Sequence, residues 1–139
     1  KAVWAIPYDY VGACEGADEV CLGVPYFNWG PGYVDFVKAA FSEKWQSKWI
    51  WLGPDWKDIN NPDTSTIGFT KGPALSADAQ KHLAGFIKGL GSKKINLLRG
   101  PLNYQDGSPF VKAGQTASDK QVWYMEQLLE GMEGASSAK

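Results

Sequence analysis

An α/β fold with a mostly parallel sheet flanked by helices is predicted from two observations. Short apolar or β-branched runs bounded by Gly, Pro, Asp or Asn recur along the chain, and capped amphipathic stretches lie between them. No internal repeat or low-complexity linker interrupts the alternation.

The strand signals fall at residues 3–6, 20–24, 49–52, 66–69 and 95–98, each short enough and apolar enough for an interior strand. A first helix is expected after Gly30-Pro31, where proline suits the opening turn, with Tyr33, Phe36, Val37, Ala40 and Phe41 at spacings of three and four. A second opens with Ser76 as N-cap and Asp78 in its first turn, repeats Ala79, Leu83, Phe86, Ile87 and Leu90, and stops at Gly91. A third begins at Ser118, with Gln121 completing a capping box, and runs through Val122, Met125, Leu129 and Met132. The tail at 134–139 is expected to fray. The Asp106-Gly107 pair between residues 102–104 and 110–111 predicts an added antiparallel hairpin. The longest irregular stretch, 53–65, is polar enough to lie on the surface or line a cleft.

The 139 residues are 44% hydrophobic and 21% charged, the composition of one globular domain with a real core. Fourteen basic residues against fifteen acidic ones give a net charge of -1, so no positive field exists to hold nucleic acid or an anionic membrane. No apolar run approaches the roughly 18 to 20 residues that span a bilayer. Lys1 is not a methionine and a strand signal follows at once, so the chain is expected to be a piece of something longer or a processed product.

Cys14 and Cys21 lie in a segment with Gly12, Gly16 and three acidic residues, which suits a short looped disulfide. Two buried thiols are the alternative reading. A metal pair lacks the further Cys or His ligands that a zinc site needs.

Catalytic signatures are sparse. His82 is the single histidine and sits in a well-capped helix, where a surface position is expected. No Gly-x-Ser-x-Gly elbow, phosphate-cradling Gly-Lys-Ser/Thr loop or His-Glu-x-x-His pair occurs. Asp9, Asp55 and Asp58 leave a carboxylate pair for glycoside hydrolysis as the enzymatic alternative.

Aromatic content is the more distinctive feature: seven Trp, six Tyr and six Phe, clustered at Tyr8/Tyr10, Tyr26-Phe27-Asn28-Trp29 and Trp45/Trp49/Trp51/Trp56. Flat rings beside a few polar groups suit a flat ligand, whose hydroxyls or amines an Asp or Asn can read. Trp4, Phe36, Phe41 and Phe86 are assigned to the core, while for Trp29 at a strand-to-helix junction core and ligand readings both stand. Asp9 directly follows a strand signal, at the sheet edge where open α/β folds bind ligands; an Asx turn or helix cap is the bland reading.

In order and spacing, Ile6-Pro7-Tyr8-Asp9-Tyr10, Tyr26-Phe27-Asn28-Trp29-Gly30-Pro31-Gly32-Tyr33, Trp51-Leu52-Gly53-Pro54 and Gly100-Pro101-Leu102-Asn103-Tyr104-Gln105-Asp106-Gly107 form a set of blocks that covers nearly the whole chain. The set resembles the carboxy-terminal portion of the basic membrane protein family of lipoproteins, the solute-binding components of nucleoside-type ABC importers. The resemblance implies a type I periplasmic-binding-protein-like fold, in which two α/β lobes close on a ligand. Residues 1–139 would supply much of the carboxy-terminal lobe, with a hinge and crossover helix near 27–45. It implies that Asp9 reads ribose hydroxyls and that Phe27, Asn28 and Trp29 lie near the ligand. Where the family has a Gly-Leu-Lys-Asp-Gly stretch this sequence has Gly53-Pro54-Asp55-Trp56-Lys57-Asp58, so Lys57 aligns only loosely with the lysine there; Trp56 and Lys57 are taken as further candidate ligand contacts. The Cys14/Cys21 pair is not a general family feature, and a disulfide there would agree with export.

The resulting expectation is cleft-closure binding of a purine nucleoside or related ring compound, with no catalysis, cofactor or metal. The implied partners are a membrane ABC permease and the amino-terminal portion of the receptor. Self-association is expected for an isolated part of a lobe pair, and the location is extracytoplasmic, lipid-anchored in the full-length protein. An enzyme acting on carbohydrate and a ligand-sensing domain with the receptor fold are the alternatives.

Overall fold

Residues 3–136 are described in the structure, a computed structural model, and the chain divides into one compact unit ending at Gly91 and another beginning at Ser92.

The first unit is organised around an antiparallel pair, β1 (Gly23–Phe27) and β2 (Ile67–Lys71), in the register Gly23↔Lys71 to Phe27↔Ile67. β2 follows the strand signal at 66–69 closely, whereas β1 begins three residues later than its signal at 20–24. The other side of β1 is flanked by the N-terminal segment, which makes parallel bridges at Ala5↔Cys21 and Asp9↔Tyr26 rather than a full strand. The first bridge rests on Ala5 N donating to Val20 O and Leu22 N donating to Ala5 O, both at 2.9 Å. Within this unit Cys21, Val24 and the hydroxyl-bearing Ser65 are buried. Cys14 and Cys21 are joined by a disulfide across a Cα separation of 5.8 Å.

Two glycines permit the close strand packing. Gly68 faces the Tyr26 ring across the ladder, and a Cβ at Gly72 would collide with the Cys21 carbonyl.

Helix α1 (Gly30–Phe41) starts where Gly30-Pro31 predicts it, and its C-cap is Ser42. Helix α2 (Ala77–Gly91) has both predicted ends: Ser76 Oγ accepts from Ala79 N at 3.2 Å, Asp78 lies in the first turn and Lys88 in the last. His82 is exposed on α2, 3.4 Å from Asp78 one turn earlier.

The second unit contains the predicted hairpin, β3 (Leu102–Asn103) and β4 (Pro109–Val111), antiparallel and closed by the Asp106-Gly107 turn. Gly107 takes a φ of 82° there, and the Asp106 carboxylate accepts from both Ser108 N (2.9 Å) and Ser108 Oγ (2.6 Å). Phe110 and Val111 are buried, with the Tyr104 ring 5.1 Å from Phe110.

Several expectations are corrected. Residues 49–52 form no strand. Residues 95–98 form none either, because Asn96 turns the chain by accepting from Leu98 N. Pairing is displaced to the Arg99↔Thr116 bridge. The third helix keeps its capping box, Ser118 with Gln121, but α3 covers only Asp119–Trp123. Beyond it, Gln105 N donates to Leu128 O and Glu130 N to Asn103 O, so the segment expected as the rest of the helix instead makes an antiparallel bridge, Tyr104↔Leu129, just after β3. Of the tail, Gly134 and Ser136 are tied to the Gln105 side chain, and residues 137–139 lie outside the described residues. Trp4, Phe36, Phe41 and Phe86, assigned to the core from sequence, are exposed, Phe41 by 88%. Among the described elements, the pairs that pack closely are β1 with β2 and β3 with β4, and Tyr33, Val34, Phe36, Val37 and Phe41 of α1 are exposed.

Candidate functional site

The site forms where the N-terminal segment and β1 end together and the chain enters α1. Asp9 N donates to Pro25 O at 3.0 Å and Phe27 N donates back to Asp9 O at 3.2 Å, so the carboxylate-bearing residue is pinned beside Tyr26 and Phe27. Asp9 holds a φ of 84°, in the left-handed region that few residues other than glycine occupy, although Asp and Asn tolerate it best. Its side chain is exposed, flanked by the exposed rings of Tyr8 and Tyr10.

The strand end to which the Asp9 backbone is bonded carries a ladder of three rings. Phe27 and Trp29 are 5.6 Å apart between centroids, and Trp29 and Tyr33 6.3 Å, all within the range of attractive aromatic geometry. Phe27 is 45% exposed and Trp29 63%. Trp29 is also the N-cap of α1, and its carbonyl accepts from Tyr33 N at 3.1 Å, which sets one helical turn between the last two rings.

Asn28 takes a different part. Its amide nitrogen donates to Pro62 O (2.7 Å) and Ser65 O (2.8 Å), and its oxygen accepts from Gly30 N (3.3 Å). The side chain therefore ties the junction to the loop at 53–65. That loop is itself built on short local bonds. Asp55 accepts from Lys57 N and from Thr64 Oγ1, which hold its carboxyl below the ordinary carboxylate range, the Thr64 bond most.

Trp56 and Lys57 are not brought to Asp9 or the ring ladder by any described contact. Trp56 packs on Gly91 and lines an apolar groove of about 290 Å³ with Leu83, Phe86, Ile87 and Leu90 of α2. Lys57 contributes its backbone amide to the Asp55 turn and keeps its side chain exposed. Among the described residues, no three His, Cys, Asp or Glu side chains gather to hold a metal ion, and no helix is long and apolar enough to cross a membrane. Tyr33 and Ser65 were not singled out from sequence as site residues. The i, i+4 spacing of Trp29 and Tyr33 carries the signal for the first; Ser65 carries none.

The chain is similar to a purine-binding protein of Brucella abortus (strain 2308), with 32% identity over 105 residues, 76% of this chain. It spans 28% of that relative's length. No protein-family model matches the chain.

Proposed function

We propose that this chain is a portion of a solute-binding protein of the basic membrane protein type, which takes up a purine nucleoside or related ring compound without changing a covalent bond. The observation that carries the reading is the Asp9↔Tyr26 bridge, with Phe27 N donating to Asp9 O, which ties the backbone of Asp9 to the strand end that carries the Phe27–Trp29–Tyr33 ladder. A purine stacked on an exposed ring gains dispersion and apolar burial, while a carboxylate accepts two hydroxyl hydrogen bonds at once, the pattern a ribose offers. The similarity to a protein named for purine binding supports the same ligand class.

On this reading the chain is part of a type I periplasmic-binding-protein-like lobe, with a parallel sheet completed by polypeptide beyond this sequence. The parallel bridges at Ala5 and Asp9 are consistent with such a sheet. The reading places the protein outside the cytoplasm, where the Cys14–Cys21 disulfide is stable, and gives it an ABC permease as its partner in the membrane. Apolar surface left uncovered on the isolated chain makes it prone to self-association.

Equilibrium dialysis of the chain against adenosine and guanosine tests the reading. Binding that falls roughly tenfold or more in Asp9→Asn supports it, since a hydrogen-bonded charge is removed without altering the backbone preference. Equal binding by parent and variant contradicts it.

A further inference from the structure

The rings of the proposed site are too exposed to be fixed by packing, so their placement depends on the backbone that carries them. That backbone is latched at one residue. Asn28 lies between Phe27 and Trp29 and uses both amide hydrogens and its oxygen on backbone groups of Pro62, Ser65 and Gly30. Its own main-chain N–H donates to Thr66 O at 2.9 Å.

The receiving side of the latch is also fixed. Ser65 is 1% exposed; its hydroxyl donates to Ile67 O at 2.8 Å and accepts from Asp55 N at 2.9 Å. Thr66 Oγ1 donates to Gly53 O at 2.8 Å, so the two ends of the loop are closed on each other. Such a set resists movement because every buried polar group in it has a partner, and loss of one member leaves another unsatisfied.

We propose that Asn28 and Ser65 are positioning residues that set the angle at which Phe27 and Trp29 are presented, so that the ladder is organised before any ligand arrives. The proposal rests on the reading of that ladder as the ring-binding surface. Organising a stacking surface in advance raises affinity by lowering the ordering cost on binding.

The test combines affinity with a spectroscopic readout that needs no ligand. The full chain is labelled with 5-fluorotryptophan, the Trp29 resonance is assigned by Trp29→Phe, and adenosine and guanosine are titrated into parent, Asn28→Ala and Ser65→Ala. Asp78→Asn on exposed α2 serves as the control. The expected result is a displaced or broadened Trp29 resonance in both latch variants, affinity lowered roughly tenfold, and a control that matches the parent. Parent-like affinity in both latch variants overturns the proposal and leaves the binding reading intact. If the parent binds neither nucleoside, the binding reading fails, and an unmoved Trp29 resonance in Asn28→Ala then overturns the latch as well. Should Asn28→Ala not fold, Asn28→Asp takes its place, keeping the acceptor for Gly30 N and removing both donations.

Discussion

Asp9 and Tyr26 are held side by side by a parallel bridge, and Asp9 keeps a backbone conformation that glycine would adopt more readily. A residue in that region costs of order 1 kcal/mol and persists where its surroundings over-determine it. Asp9→Gly is therefore expected to leave stability unchanged or raise it by up to about 1 kcal/mol while lowering purine-nucleoside affinity at least as much as Asp9→Asn. Paired denaturant melts and dialysis check this. A variant that loses both stability and affinity would show that the Asp9 side chain serves the fold.

The disulfide closes a short loop directly before β1. Loop-closure entropy for a sequence separation of 7 amounts to about 2.5 kcal/mol. Reduction, or Cys14→Ala, is expected to destabilise the first unit by about that amount and to loosen the Ala5 bonds to Val20 and Leu22. Urea unfolding with and without a reductant measures it; identical midpoints would mean that the reduced loop is already ordered.

Asp106 accepts from Gln127 and Ser108, and these bonds lower its pKa to about 2, the Gln127 bond most. A carboxyl whose folded pKa lies below its unfolded value stabilises the fold above the unfolded value, near 4, and the contribution is lost as pH falls through about 2. Hairpin stability should therefore decline between roughly pH 4 and pH 2, and the decline should shrink in Asp106→Asn. The side-chain carbon shift of Asp106 followed by NMR gives the titration directly, and a midpoint near pH 4 would contradict the assignment.

The accessible surface is 10752 Å². The scaling of area with mass gives roughly 8,500 Å² even when the two units are counted as separate bodies, an excess of about 2,000 Å² and well beyond what one side of a standard interface buries. Sedimentation velocity is expected to show concentration-dependent association, reduced by Val37→Lys and Phe41→Lys on the exposed face of α1. A clean monomer at high concentration would contradict this.

What the sequence disclosed follows the range of the forces involved. The ends of α2, the start of α1, the capping box at Ser118 and the hairpin at Asp106-Gly107 are set by local bonds among near neighbours, and each is found where its residues place it. Met125, Leu129 and Met132 keep a helical spacing, yet the backbone at 103–105 takes the segment instead, through Leu128 and Glu130. That competition is between residues far apart in sequence and leaves no local mark. In the site, the backbone of Asp9 is bonded to that of Phe27, whose ring meets Trp29, whereas Asn28 is engaged with the loop and Trp56 with α2. An Asn that reads a ligand and one that latches a loop look alike in sequence, because only the position of the receiving carbonyls tells them apart.

The most direct test of the binding site is a nucleoside titration followed by NMR at two reporters, the Asp9 side-chain carboxyl carbon and the Trp29 indole N–H. The account predicts that adenosine or guanosine moves both with one common saturation curve. Saturation with both reporters still would contradict it.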